Sequence, residues 1–150
     1  MIKQNIRILA TLFVILLLQP SCATVRVRQE ANGASIVVQE LVKTNRSWDG
    51  ELLRAYPSGQ PQVTIRRITI PAGARLETHS HPVINAGVLM SGQLTVVTVD
   101  GKTLHLNAGD PIVEVVNTWH YGINQGKVPA EIFIFYAGAV DAPITVAKQR

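Results

Sequence analysis

His79 and His81 stand two residues apart in the run Thr78-His79-Ser80-His81-Pro82. On a β-strand, residues i and i+2 point to the same face, so both imidazoles would converge there. Neutral imidazole is a common ligand for first-row divalent metals, and two on one strand make half of a metal site. The same spacing also serves a pair of hydrogen-bonded or solvated histidines. A third ligand must come from elsewhere in the fold, and His120 is the candidate. His105 lies between Leu104 and Leu106. If those leucines face the core, His105 faces solvent and contributes no ligand.

The elements that would position these residues read as short strands and turns. Ile36-Val37-Val38 opens a β-rich run, and Trp48-Asp49-Gly50-Glu51 is a turn inside a strand pair. Val63 and Ile65, then Ile68 and Ile70, alternate with a phase slip at Arg66-Arg67 that suggests a bulge. Val88–Met90 and Leu94–Val99 flank Ser91-Gly92. Asp100-Gly101 is the strongest hairpin signal, because that pair suits a turn that needs positive φ. Lys102–Leu106, Ile112–Val116 and Ala130–Tyr136 are further strands, with a turn at Asn107-Ala108-Gly109-Asp110. No segment carries a long helical period. Many short strands at close spacing predict an all-β sandwich or barrel, and a jelly roll is one solution that limits exposed edges.

Gly73 to Asn85, running on to Gly92, resembles the first motif of the cupin superfamily: a glycine, five residues, H-x-H, a short spacer, a glutamate, six residues and a glycine. Asn85 stands at the glutamate position. Gly109, His120 and Asn124 match the second motif at its spacing, with Val115 and Asn117 replacing its proline and second glycine. Asparagine tolerates positive φ, so Asn117 is a serviceable substitute. The resemblance implies a double-stranded β-helix, or jelly-roll barrel. It implies a divalent ion (iron, manganese, zinc or nickel) held by His79, His81 and His120. It also implies a small-molecule ligand or substrate and, as a habit of such proteins, a homodimer.

Asn85 bears on the chemistry. A neutral amide is a weak ligand or none, so three histidines would leave the full charge of a dication at the site. Metal affinity should fall, bound water should become more acidic, and an anionic ligand should be favoured. Three-histidine sites are a feature of some cupin-like dioxygenases, so this departure is compatible with a dioxygenase- or isomerase-like enzyme acting on a small organic anion. It is equally compatible with a non-catalytic module that binds a small ligand or metal, or with a purely structural barrel. Gln93, Tyr121 and Tyr136 are candidates to line the cavity or support the ligands. Glu77 shares parity with the histidines, Asp110 reads as turn chemistry, and Trp48 and Trp119 read as packing residues.

The chain starts with Lys3 and Arg7, then the apolar run Ile8–Leu18, then Ser21-Cys22-Ala23. The run is shorter than the roughly 20 residues a membrane-spanning helix needs, and the order is that of a secretory signal over residues 1–23. Cleavage after Ala23 and lipidation of Cys22 compete as readings, with an uncleaved anchor as the third. Lipidation would place a lipid anchor on the membrane, and either cleavage would place the protein in the periplasm or cell envelope. Residues 24–34 read as a linker and 35–150 as one barrel domain. Without Lys3 and Arg7, twelve basic residues face ten acidic ones, a net of +2, and only Arg66 and Arg67 are adjacent. Such scatter argues against nucleic acid as a partner. Cys22 is the only cysteine, so no disulfide framework supports the fold.

Overall fold

The computed structural model describes residues 30, 31 and 34–149. The leader with Cys22, and most of the expected linker, lie outside the described residues. The chain divides into two units, Met1–Gln39 and Glu40–Arg150. In the first, β1 (Glu30–Ala31) and β2 (Ala34–Ser35) form a short antiparallel ladder. The strand expected to open at Ile36-Val37-Val38 does not form: these residues pair with no ladder and are exposed.

The second unit holds two antiparallel sheets. Its strands are β3 (Pro61–Ile70), β4 (His79–Ser80), β5 (Ile84–Ser91), β6 (Gln93–Thr98), β7 (Thr103–Asn107), β8 (Pro111–Val113), β9 (His120–Ile123), β10 (Ala130–Ala139) and β11 (Val146–Ala147). One sheet runs β3-β10-β5-β8 and the other β11-β4-β9-β6-β7. No helix occurs among the described residues. This is an all-β double-stranded β-helix. Its core draws on both sheets: Ile70, Leu89, Ile112, Ile132 and Ile134 from the first, Leu94, Val96 and Leu106 from the second. Strand alternation produces this directly, since even-numbered residues of β6 and β10 are buried and their odd-numbered neighbours, up to Ala137, are more exposed.

The expected slip at Arg66-Arg67 is not a bulge. β3 pairs with β10 in unbroken register from Pro61 opposite Ala139 to Ile70 opposite Ala130. Val63 and Ile65 are simply apolar residues on the outer face, 60% and 65% exposed, while Ile70 faces inward. The register shift falls instead between Glu131 and Ile132, against β5.

Turns fall where the sequence signals them. Trp48–Gly50 turns inside the Arg46–Leu52 bridge. Asp100-Gly101 tips the β6–β7 hairpin, with Gly101 at φ 92° and its N–H donating to Thr98 O at 3.0 Å. Asn117 adopts φ 57°, the left-handed conformation expected of it. Asn124 is fully buried and ties three strands' ends together. Its Nδ2 donates to Ile70 O (2.9 Å) and Val128 O (2.8 Å), and its Oδ1 accepts from Gly126 N (2.9 Å).

Candidate metal centre

β4 is only two residues long, so the His79–His81 spacing is not carried by a long strand. His79 lies opposite His120 in the β4–β9 ladder, and His81 is placed by a parallel bridge to Val116. The three imidazoles gather at one end of the barrel. Ring centroids are 4.5 Å apart for His79–His120, 4.9 Å for His79–His81 and 5.2 Å for His81–His120. Each ring offers one ligand nitrogen, and these lie within 4.8 Å of one another. His105 is on the exposed face of β7, where its Nδ1 meets Thr95 Oγ1 at 3.0 Å.

Backbone carbonyls set the tautomers. Nδ1 of His79 donates to Glu77 O (2.7 Å), that of His81 to Ile144 O (2.8 Å) and that of His120 to Thr118 O (2.8 Å). A carbonyl only accepts, so in each neutral ring the hydrogen sits on Nδ1 and Nε2 presents a lone pair. A ring nitrogen fixed by such a bond is the usual arrangement around a metal-ligating histidine. Burial lowers the pKa of all three histidines. For His81 burial, helped by the neighbouring His79 and His120 and by Arg66, outweighs the Ile144 carbonyl and pushes the pKa down to about 4. The rings are therefore neutral at neutral pH, as ligands must be.

Tyr136 faces this cluster from the other sheet with Asn85 buried beside it, and a third residue, absent from the sequence reading, joins them. Tyr136 lies opposite Asn85 in the β10–β5 ladder. Glu114, just beyond β8, donates its N–H to Asn85 O at 3.0 Å. The three form a polar row across β10, β5 and the β8 end. Glu114 is buried, its carboxylate Oε2 lies 3.5 Å from His120 Nε2, and burial raises its pKa to about 7. That contact is too long for a hydrogen bond, and burial favours the neutral form of both groups, so it is not an ion pair in the ordinary sense. Asn85 Oδ1, Glu114 Oε2 and His120 Nε2 are three of four buried side-chain atoms without a hydrogen-bond partner among the described residues. A buried ring nitrogen left without a hydrogen-bond partner suits a cation, and the three imidazoles could hold a divalent metal. Glu114 places a carboxyl group beside His120 at the polar end of the cavity.

A cavity of about 40 Å³ opens on this centre. Its floor is apolar, with Ile68, Leu76, Val96 and Ile134, and its polar end carries the histidines, Glu114 and Tyr136. Tyr136 is buried and packs edge-on against His81 at 5.4 Å. Gln93 and Tyr121, expected to line the cavity, do not. Each sits at the outward parity of its strand, beside Leu94 and Gly122, which point in. Gln93 bonds Asn107 Oδ1, and Tyr121 is covered by the Arg75 guanidinium 3.7 Å from its ring centroid. Glu77 is exposed and serves the site through its backbone carbonyl. The signal for Glu114 was a lone acid inside the apolar run Ile112-Val113-Glu114-Val115-Val116, two residues from buried Ile112 and so at inward parity.

Residues 66–136 match the family described as "Cupin domain". No curated protein matches the chain by sequence. Among solved structures, an oxalate oxidase in complex with the substrate analogue glycolate is 24% identical with a TM-score of 0.50, over 57% of this chain and 45% of that one. An oxalate decarboxylase from Lactobacillus farciminis is 21% identical with a TM-score of 0.50, over 57% of this chain and 26% of that one. A DMSP lyase from Ruegeria pomeroyi is 16% identical with a TM-score of 0.51, over 57% of this chain and 43% of that one. At these identities the likeness is one of fold, and the chain spans less than half the length of each.

Proposed function

This chain carries a cupin domain and belongs to the cupin superfamily, and from that premise we propose that it is an exported metalloprotein acting on a small anionic organic molecule. His79, His81 and His120 hold one divalent ion. The observation that carries this reading is the set of three carbonyl-anchored rings, whose free nitrogens lie within 4.8 Å of one another. A bound ion would polarise an oxygen of the ligand or acidify a water molecule. The apolar floor excludes bulk water, and the polar end orients an anionic head toward the histidines. Oxidation or isomerisation of a small organic acid is the class of reaction this arrangement suits.

The size of the cavity favours one further reading. At about 40 Å³ it has room for an ion and a few ligand atoms. A non-catalytic module that binds a metal or a very small ligand fits that space as well. Elemental analysis of the purified full chain tests the metal: one iron, manganese, zinc or nickel per chain is expected, and none after generous supply overturns the reading. Turnover of small carboxylates by the loaded protein then separates enzyme from module.

Export rests on the charged start and short apolar run. Intact-mass measurement of envelope protein should find the first 21 or 23 residues removed, with a lipid on Cys22 in the former case. Retention of Met1–Arg7 overturns both cleavage readings and leaves the uncleaved anchor. Self-association to a homodimer is checked by sedimentation of the same material.

A further inference from the structure

We propose that Glu114 is the fourth protein ligand of the metal centre, supplying from the β8 end the carboxylate that position 85 on β5 lacks. The inference rests on the metal reading above and names a residue that neither cupin motif assigns.

The placement carries it. One residue beyond the last β5–β8 rung, Ala86 opposite Val113, Glu114 N donates to Asn85 O, and continuing that register puts their side chains on one face. A carboxylate on either can be aimed at the same point. Only Glu114 is among the residues that line the cavity with the three histidines. Asn85 is wholly buried, and its Nδ2 makes only a long 3.4 Å bond to Val83 O. Glu114 has one more methylene and reaches farther.

The one short contact is close to a ligand's geometry. Two donors bound to a single divalent ion at about 2.1 Å stand roughly 3.0–3.4 Å apart, octahedral to tetrahedral. Glu114 Oε2 and His120 Nε2 are 3.5 Å apart, with no hydrogen bond between them and no other partner for either among the described residues. A carboxylate buried for packing alone would be bonded to backbone or side-chain donors. The buried Oε2 of Glu114 has none, and it faces Nε2 of a ring whose hydrogen is already committed at Nδ1.

The consequence is a centre of three histidines and one carboxylate, with the acid moved one strand across the sheet. One unit of the dication's charge is cancelled, so attraction for an anionic ligand is weaker than three histidines alone would give.

Calorimetric titration of the full chain with Zn²⁺ and with Co²⁺ tests this. Glu114→Gln is expected to weaken binding about 10–100-fold and to move the visible Co²⁺ bands, whereas Asn85→Ala should change affinity by less than about threefold. Glu114→Asp, which withdraws the carboxylate by one methylene, should fall between parent and Glu114→Gln. The double variant Asn85→Glu/Glu114→Gln should recover affinity by returning the acid to β5. Parent-like affinity and unchanged Co²⁺ bands in Glu114→Gln and Glu114→Asp overturn the assignment while leaving the three-histidine site standing. Absence of binding by the parent overturns the metal reading and this inference with it.

Discussion

His79 and His120 face one another directly across the β4–β9 ladder, with ring centroids 4.5 Å apart. The pairing brings together residues 41 positions apart in the chain. It converts the H-x-H spacing, which alone fixes two rings, into a three-ring cluster.

Removal of any one ring should open that cluster. His79→Ala, His81→Ala and His120→Ala are each expected to lose most of the bound metal, while His105→Ala retains it. Elemental analysis after dialysis reads both. Loss of metal in the His105 variant with retention in the His120 variant would place the site elsewhere.

The metal-free protein should respond to pH in two opposing ways. His81 is held near 4, below the ordinary value of 6.5, so the unfolded chain binds more protons between those limits and stability falls as pH drops through them. Glu114 is held near 7, above its ordinary 4.5, so the folded chain binds more protons in that window and stability rises as pH drops. Each contributes up to about 3 kcal/mol, and because the lowered His79 and His120 add to the histidine arm, Glu114 offsets only part of it over the shared window. Glu114→Gln removes one arm. Its denaturant midpoint should therefore fall more steeply than the parent's between pH of about 6.5 and 4.5. Parallel slopes would mean that the carboxyl is not perturbed.

Two glycines separate backbone strain from steric conflict. At Gly101 (φ 92°) an added Cβ meets nothing within 4 Å, so Gly101→Val is expected to destabilise by about 1–2 kcal/mol through φ alone. At Gly92 (φ 75°) a Cβ would lie 2.6 Å from Pro129 O and 2.8 Å from Ala130 Cα, both backbone atoms. Gly92→Ala should be the worse of the two although alanine is smaller. Thermal melts of both variants test the order.

Asn124→Ala removes two donors and an acceptor from a fully buried position and strands the carbonyls of Ile70 and Val128. The expected loss is about 3 kcal/mol, with metal affinity unchanged at the remaining fold. A melt within a degree or two of the parent would deny the residue its clamping role.

The histidines and turns were legible because their signals are local or fixed by spacing. Asp100-Gly101 demands a particular φ, and His120 stands at a set distance from Gly109. Glu114 was not legible, because its importance depends on which strand lies beside β8. The pairing of Asn85 with Glu114 joins residues 29 apart through a sheet order, β10-β5-β8, that no local pattern encodes. The Arg66-Arg67 slip misled for a related reason. Apolar residues on both faces of β3 look like a change of phase, although the strand never breaks register with β10. Gln93 and Tyr121 were polar residues next to inward positions, and one step along a strand reverses the face.

The carbonyls of Glu77, Ile144 and Thr118 hold the three rings through bonds that the backbone makes on folding. Ring placement of this kind does not depend on a bound ion. Such a site is ready before any ion arrives and discriminates little by shape among ions of similar size. Which ion occupies it is then decided by what the surroundings supply and by the intrinsic preference of nitrogen donors for the later first-row metals. Cells grown on different metal supplies should yield the same folded protein carrying different cargo.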